Sequence, residues 1–170
     1  MDRSADNTSH PERGQIVAKI LVDGDACPVK DEIYKVAVRH SVPVCLVSNS
    51  WIRMPDHPLF EFKLVSNGFD AADDHIAETT DAATIVVTAD ILLAERCLKE
   101  KARVIGHTGK PFTENSIGAA VATRAIMADL RAGIGSEQVG GPKPFTKADR
   151  SSFLQALDTE IVQLKRSRSE

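Results

Sequence analysis

Acidic residues fall at three points of the sequence where their neighbours give them something to do. Asp23 and Asp25 flank Gly24 at the end of the apolar run Ile20-Leu21-Val22. Asp73 and Asp74 are adjacent, just after Asp70. Asp90 closes Thr88-Ala89-Asp90, directly after the apolar run Ala83–Val87. If the two runs are parallel strands, their carboxyl ends lie on one side of the sheet, where open α/β folds bind ligands. Carboxylates that converge repel one another, and a hard divalent cation relieves them. Mg²⁺ prefers oxygen donors and keeps several waters, so two to four carboxylates suffice. This reading makes Asp23, Asp73, Asp74 and Asp90 metal ligands and Asp25 an outer acid or an extra ligand, all five catalytic. Taken singly, each also reads as a helix cap or a solvated surface acid.

Polar groups at the same edge could orient a water or a substrate phosphate: Ser48 and Asn49 after Val42–Val47, and Thr88. Lys143 and Arg150 surround Gly140-Gly141-Pro142, a turn whose backbone N–H groups suit phosphate. Scattered cations of this kind read equally as a solvated face. Asp23-Gly24-Asp25 also admits another chemistry, that of haloacid-dehalogenase-type phosphatases. There Asp23 would be the nucleophile, with Ser48, Lys63 and Asp73/Asp74 completing the set. A helix starting at Pro28 leaves no room for the flap that follows the acidic pair in those enzymes. A third reading is non-catalytic: a nucleic-acid- or protein-binding module with a vestigial acidic site.

The elements that must position these residues follow from periodicity. Gln15–Val22 reads as a buried strand and Pro28–His40 as a helix with Val29, Ile33, Val36 and Ala37 on one face. Val42–Val47 is a second buried strand, Trp51–Pro58 an irregular loop, and Phe60–Val65 a half-buried alternating strand. Asp70–Thr80 reads as a helix, Ala83–Val87 as a third buried strand, and the helix that follows puts Ile91, Leu93, Ala94, Cys97 and Leu98 on its buried side. Arg103–Ile105 is a short strand closed by Gly106. Asn115 or Ser116 is expected to cap a helix reaching Ala132, with Gly133 as its stop. After a Gly- and Pro-rich loop, Gly135–Phe145, Thr146 and Asp149 form a capping box. The final helix carries Phe153, Leu157, Ile161 and Leu164 on one stripe. Strand-then-helix recurrence predicts a three-layer α/β/α fold with a mostly parallel sheet. It forms one domain over residues 16–164, between a disordered extension (1–15) and a basic tail (165–170).

Composition sets outer bounds. A chain of 170 residues with 42% hydrophobic and 26% charged residues is ordinary for one globular domain. A net charge of -3 gives no global case for nucleic-acid binding. Three cysteines without a CxxC pair fit a reducing compartment. Cys27, at a helix start, reads as a small packed residue rather than a nucleophile, and the histidines show no zinc spacing. No glycine loop for nucleotides is present. No apolar stretch approaches the ~18–20 residues that span a bilayer, and the N-terminus lacks a signal-peptide core. The expectation is a cytoplasmic protein with no membrane partner.

Four motifs in order carry a family resemblance: Val22-Asp23-Gly24-Asp25-Ala26-Cys27-Pro28-Val29, Gly68-Phe69-Asp70-Ala71-Ala72-Asp73-Asp74-His75-Ile76, Thr88-Ala89-Asp90-Ile91-Leu92-Leu93-Ala94 and Gly140-Gly141-Pro142-Lys143-Pro144-Phe145. With them the chain resembles the YaiI/YqxD family of bacterial proteins from Ile20 to about Leu164. That family in turn looks like a relative of PIN-like and NYN-type nucleases. The resemblance implies a PIN-like domain and RNA as a partner. It also implies Mg²⁺ or Mn²⁺ held by Asp23, by Asp73 or Asp74, and by Asp90 of Thr88-Ala89-Asp90.

Overall fold

The computed structural model describes residues 17–66, 68, 70–134 and 144–168. Their elements in chain order are β1 (Lys19–Asp23), α1 (Lys30–His40), β2 (Val44–Ser48), β3 (Phe60–Leu64), α2 (Ala71–Thr79), β4 (Thr84–Val87), α3 (Ile91–Lys99), β5 (Arg103–Ile105), β6 (Pro111–Phe112), α4 (Glu114–Ile134) and α5 (Lys147–Arg168). The sheet has the order β3-β2-β1-β4-β5-β6. Every pairing is parallel except β5 with β6.

Alternation within the buried strands sorts the core into two halves. Ile20, Val22, Val44, Leu46, Ile85, Val87 and Ile105 face one side, where α1 supplies Ile33, Val36 and Ala37 and α5 supplies Phe153, Leu157, Ile161 and Leu164. Leu21, Val47, Val86 and Val104 face the other, against Ala72 and Ile76 of α2, Leu93, Ala94 and Cys97 of α3 and Ile117 of α4. A strand covered on both faces must be apolar throughout, which is why β1, β2 and β4 read as unbroken runs. The three-layer α/β/α architecture follows. Among the described residues no helix is long and apolar enough to cross a membrane.

Polar clasps lock α5 onto α1. Asp158 takes Arg39 at 3.1 Å and His40 at 2.6 Å, and the Lys165 Nζ donates to the His40 carbonyl at 2.6 Å. Thr146 and Asp149 form the expected box, Thr146 N–H to Asp149 at 3.0 Å and Asp149 N–H to Thr146 Oγ1 at 3.1 Å. The helix then runs to Arg168, into residues read above as tail. The cap of α4 differs from expectation. Thr113, not Asn115 or Ser116, takes that place, exchanging hydrogen bonds with Ser116 in both directions at 3.1 Å. Gly133 does not stop this helix, which continues to Ile134. The short antiparallel β6 was not expected either. The extension 1–15 lies outside the described residues.

Gly109 allows the turn between β5 and β6 to pass under α5. Its φ is +90°, and a Cβ there would sit 2.7 Å from the Ala156 Cβ and 2.8 Å from the Ser152 carbonyl oxygen. At Gly118 in α4 an added Cβ meets nothing within 4 Å. Opposite signs are therefore expected in urea melts. Gly109→Ala should destabilise by more than about 2 kcal/mol, from positive-φ strain and the clash. Gly118→Ala should stabilise by up to about 1 kcal/mol through helix propensity.

Candidate active site

β1 and β4 are parallel neighbours whose chains leave in opposite directions, β1 toward β2 and β4 toward β5. Their carboxyl ends form a topological switch point, where helices diverge and leave a crevice. Asp23 is the last residue of β1. Val22 pairs with Val87, so Thr88 comes to lie beside Asp23. The Thr88 hydroxyl, fully buried, donates to Asp23 Oδ2 at 2.9 Å and accepts the Asp90 N–H at 3.0 Å. One hydroxyl thus joins the two acids.

Asp90 is the N-cap of α3: its Oδ1 accepts the Leu92 and Leu93 N–H groups at 2.9 and 3.1 Å. Capping and site readings of Asp90 are therefore compatible, because only one carboxylate oxygen is used. On the other flank Asp23 pairs with Val47, and the next residue, buried Ser48, donates to Asp25 Oδ1 at 2.6 Å. Gly24 between the acids lets the backbone sit close against β2. A Cβ there would lie 3.0 Å from the Val47 oxygen and 3.1 Å from the Leu46 side chain, while the Gly24 N–H donates to that oxygen at 2.8 Å.

The acidic pair of α2 divides. Asp74 is exposed and pairs with Arg96 at 3.0 Å. Asp73, half-buried in the first turn, stands near Asp90 and Asp23. Its pKa is pushed up to about 6, first by burial and then by Asp90, Asp23 and Asp70, with Arg96 partly offsetting. Asp23 is raised as well, by burial against the opposing Thr88 hydrogen bond, then by Asp25 and Asp90. Burial and like charges both disfavour ionisation.

Asp23, Asp25 and Asp90 line a cleft of about 380 Å³ whose remaining wall includes His107 and Arg124. Asp73 stands beside this cleft rather than in its lining. His107 has its Nε2 buried without a hydrogen-bond partner among the described residues. Burial, then Lys30, holds its pKa below the ordinary histidine value. Neither His107 nor Arg124 stood out in the sequence: one follows β5 and the other lies mid-way along α4, with no local spacing to mark them.

The other candidates are elsewhere. Asn49 is half-buried next to Ser48. The Arg150 guanidinium donates to the Pro28 carbonyl at 2.6 Å and lies 5.0 Å over the Phe145 ring, so it staples α5 to the start of α1. Lys143, with Gly140–Pro142, lies outside the described residues. Cys27 is buried, and burial pushes its thiol pKa up, as a packed residue should behave.

Residues 21–163 match the family described as "Uncharacterized BCR, YaiI/YqxD family". The chain belongs to this family. It is 67% identical over 147 residues to a UPF0178 protein of Sphingopyxis alaskensis, covering 86% of this chain and 95% of that one. A UPF0178 protein of Jannaschia sp. is 59% identical over 146 residues, 86% and 94% of the two chains. One from Rhodopseudomonas palustris is 55% identical over 150 residues, 88% and 90%. No solved structure matches the chain. The motifs around Asp23, Asp73 and Asp90 all fall inside the matched region.

The donor chemistry fits a hard divalent cation: oxygen ligands only, at carboxylates that burial and mutual repulsion leave short of positive charge. Among the described residues no three Asp, Glu, His or Cys side chains stand at distances that would enclose an ion. An ion here would therefore be bound by few protein oxygens and keep much of its water, as Mg²⁺ commonly does.

Asp73 should tie stability to pH. Its folded pKa near 6 exceeds the ordinary 3.8, so the folded state holds a proton that the unfolded chain has released across that window. Its contribution is fully present below about 3.8 and lost as pH rises through about 6. Asp73→Asn should therefore stabilise the protein at pH 7 and be nearly neutral at the acid end of the window. Denaturant melts of both proteins across this range check it.

Proposed function

We propose that this protein is a metal-dependent phosphodiesterase acting on RNA. The observation that carries the reading is the set of mutually repelling carboxylates Asp23, Asp73 and Asp90 at the switch point, beside a cleft that Arg124 also lines. Such a site would favour a bound cation and offers a guanidinium to a phosphate. Asp23 and Asp90 would hold Mg²⁺ or Mn²⁺, with Asp73 beside them. When bound, the ion supplies Lewis acidity and a water of lowered pKa. Asp74 is the weaker choice of its pair, since Arg96 already neutralises it.

The remaining residues act by position. Thr88 holds Asp23 by one hydrogen bond and fixes the Asp90 backbone by another. Ser48 holds Asp25, which leaves that acid to receive a proton or orient a water at the cleft rim. Arg124, which lines the cleft, would take the scissile phosphate. The resemblance to PIN-like and NYN-type nucleases points to the same assignment of acids.

The test is cleavage of a mixed panel of RNA and DNA with Mn²⁺, comparing wild type with Asp90→Asn. Asparagine caps helices about as well as aspartate, so this substitution removes charge while keeping the start of α3. RNA cleavage should fall by at least about 100-fold in Asp90→Asn, and by about 10- to 100-fold in Thr88→Val, the range for losing an outer partner of a metal ligand. Equal cleavage by wild type and Asp90→Asn would contradict the assignment. So would a phosphoaspartate trapped at Asp23, which would mark a phosphatase nucleophile.

A further inference from the structure

Trp51 is the single tryptophan of the chain. At 71% exposed it is the most exposed large apolar side chain among the described residues. The segment after β2 explains why. Ile52 and Met54 pack against the core beneath α1, which leaves Trp51 and Arg53 exposed. The loop is thus pinned through alternate residues and presents an indole and a guanidinium to water. Arg53 makes no ion pair among the described residues. An aromatic of this size would bury much apolar area if it served the fold, and here it serves none.

Its root lies on the same edge of the sheet as the acids. Trp51 is three residues beyond Ser48, so their Cα atoms are at most about 11 Å apart. Ser48 is the residue bonded to Asp25 at 2.6 Å, and the Ser50 N–H donates to the Ser48 hydroxyl at 3.0 Å. The root of the loop is therefore fixed to the same carboxyl edge as the acids.

We infer that Trp51 and Arg53 form a binding site for one unpaired base and its phosphate, so that the substrate is a single-stranded nucleic acid, RNA in the reading above. The inference rests on that reading of the cleft as a phosphodiester site. A stacked indole needs a free base face, which a duplex does not offer and an unstacked strand does. A protein partner fits less well. Hot-spot tryptophans sit within an apolar patch that excludes water, whereas the exposed chain neighbours here are Ser50, Arg53, Pro55 and Asp56.

The single indole makes its own probe. Full-length protein in EDTA, where cleavage does not interfere, is titrated with an oligouridylate of about ten nucleotides, within the ~4–16 that single-strand sites cover. Oligothymidylate and a duplex of equal length are the other arms. Trp51 fluorescence should be quenched by the single strands and not by the duplex, the uridylate binding more tightly if RNA is the substrate. By anisotropy of labelled oligouridylate, Trp51→Ala should weaken binding by about 5- to 150-fold, the loss expected for one stacked base. Trp51→Phe should recover most of it, and Arg53→Ala should flatten the salt dependence. Absence of quenching by any single strand, equal affinity of Trp51→Ala and wild type, or burial of Trp51 by self-association in sedimentation would each overturn the site. Quenching without cleavage would leave this site standing and remove the nuclease reading; cleavage without quenching would do the reverse.

Discussion

The hydroxyl of Thr88 holds the candidate site together. It sits where β1 and β4 end side by side, donates to Asp23 and receives the backbone of Asp90. Parallel pairing of these two strands is what brings acids far apart in sequence to one place. The fully buried Thr88 has no water to fall back on, so both of its hydrogen bonds must be made by protein. The geometry of the two acids is therefore fixed by the same demand that keeps the strand end satisfied.

Around that bond the fold places charge at some cost. Burial raises Asp23 and Asp73 above their ordinary values, and each feels Asp90. Asp74 shows the contrast: exposed at the surface, it has the Arg96 guanidinium 3.0 Å away. Arg124 lines the same cleft as Asp23, Asp25 and Asp90.

Much of this was legible in the chain because buried parallel strands must be apolar on both faces. β1, β2 and β4 announce themselves as continuous runs, and the acids after them mark the carboxyl edge. The sheet order placing β1 beside β4 follows from right-handed crossovers only once all the strands are known. What stayed hidden has physical reasons. Pro111–Phe112 is too short for any period, and Thr113–Ser116 replaces the acid of a usual capping box with a hydroxyl. Asp73 and Asp74 are equivalent in sequence until Arg96, twenty-two residues further on, claims one of them. His107 and Arg124 enter the cleft through tertiary packing alone. Trp51 is an anonymous loop residue until Ile52 and Met54 are seen to be anchored.

The cleft at the β1–β4 switch point is proposed to bind a divalent cation through Asp23 and its neighbours. Calorimetric titration of Mn²⁺ into the full-length protein near pH 6, in two buffers of different ionisation enthalpy, tests it most directly. Binding with proton release is expected, because burial and neighbouring acids hold the Asp73 pKa up at about 6 and a cation nearby would lower it. Affinity is expected to be at least about tenfold weaker in Asp23→Asn. No binding heat, or binding unaffected by Asp23→Asn, would contradict it.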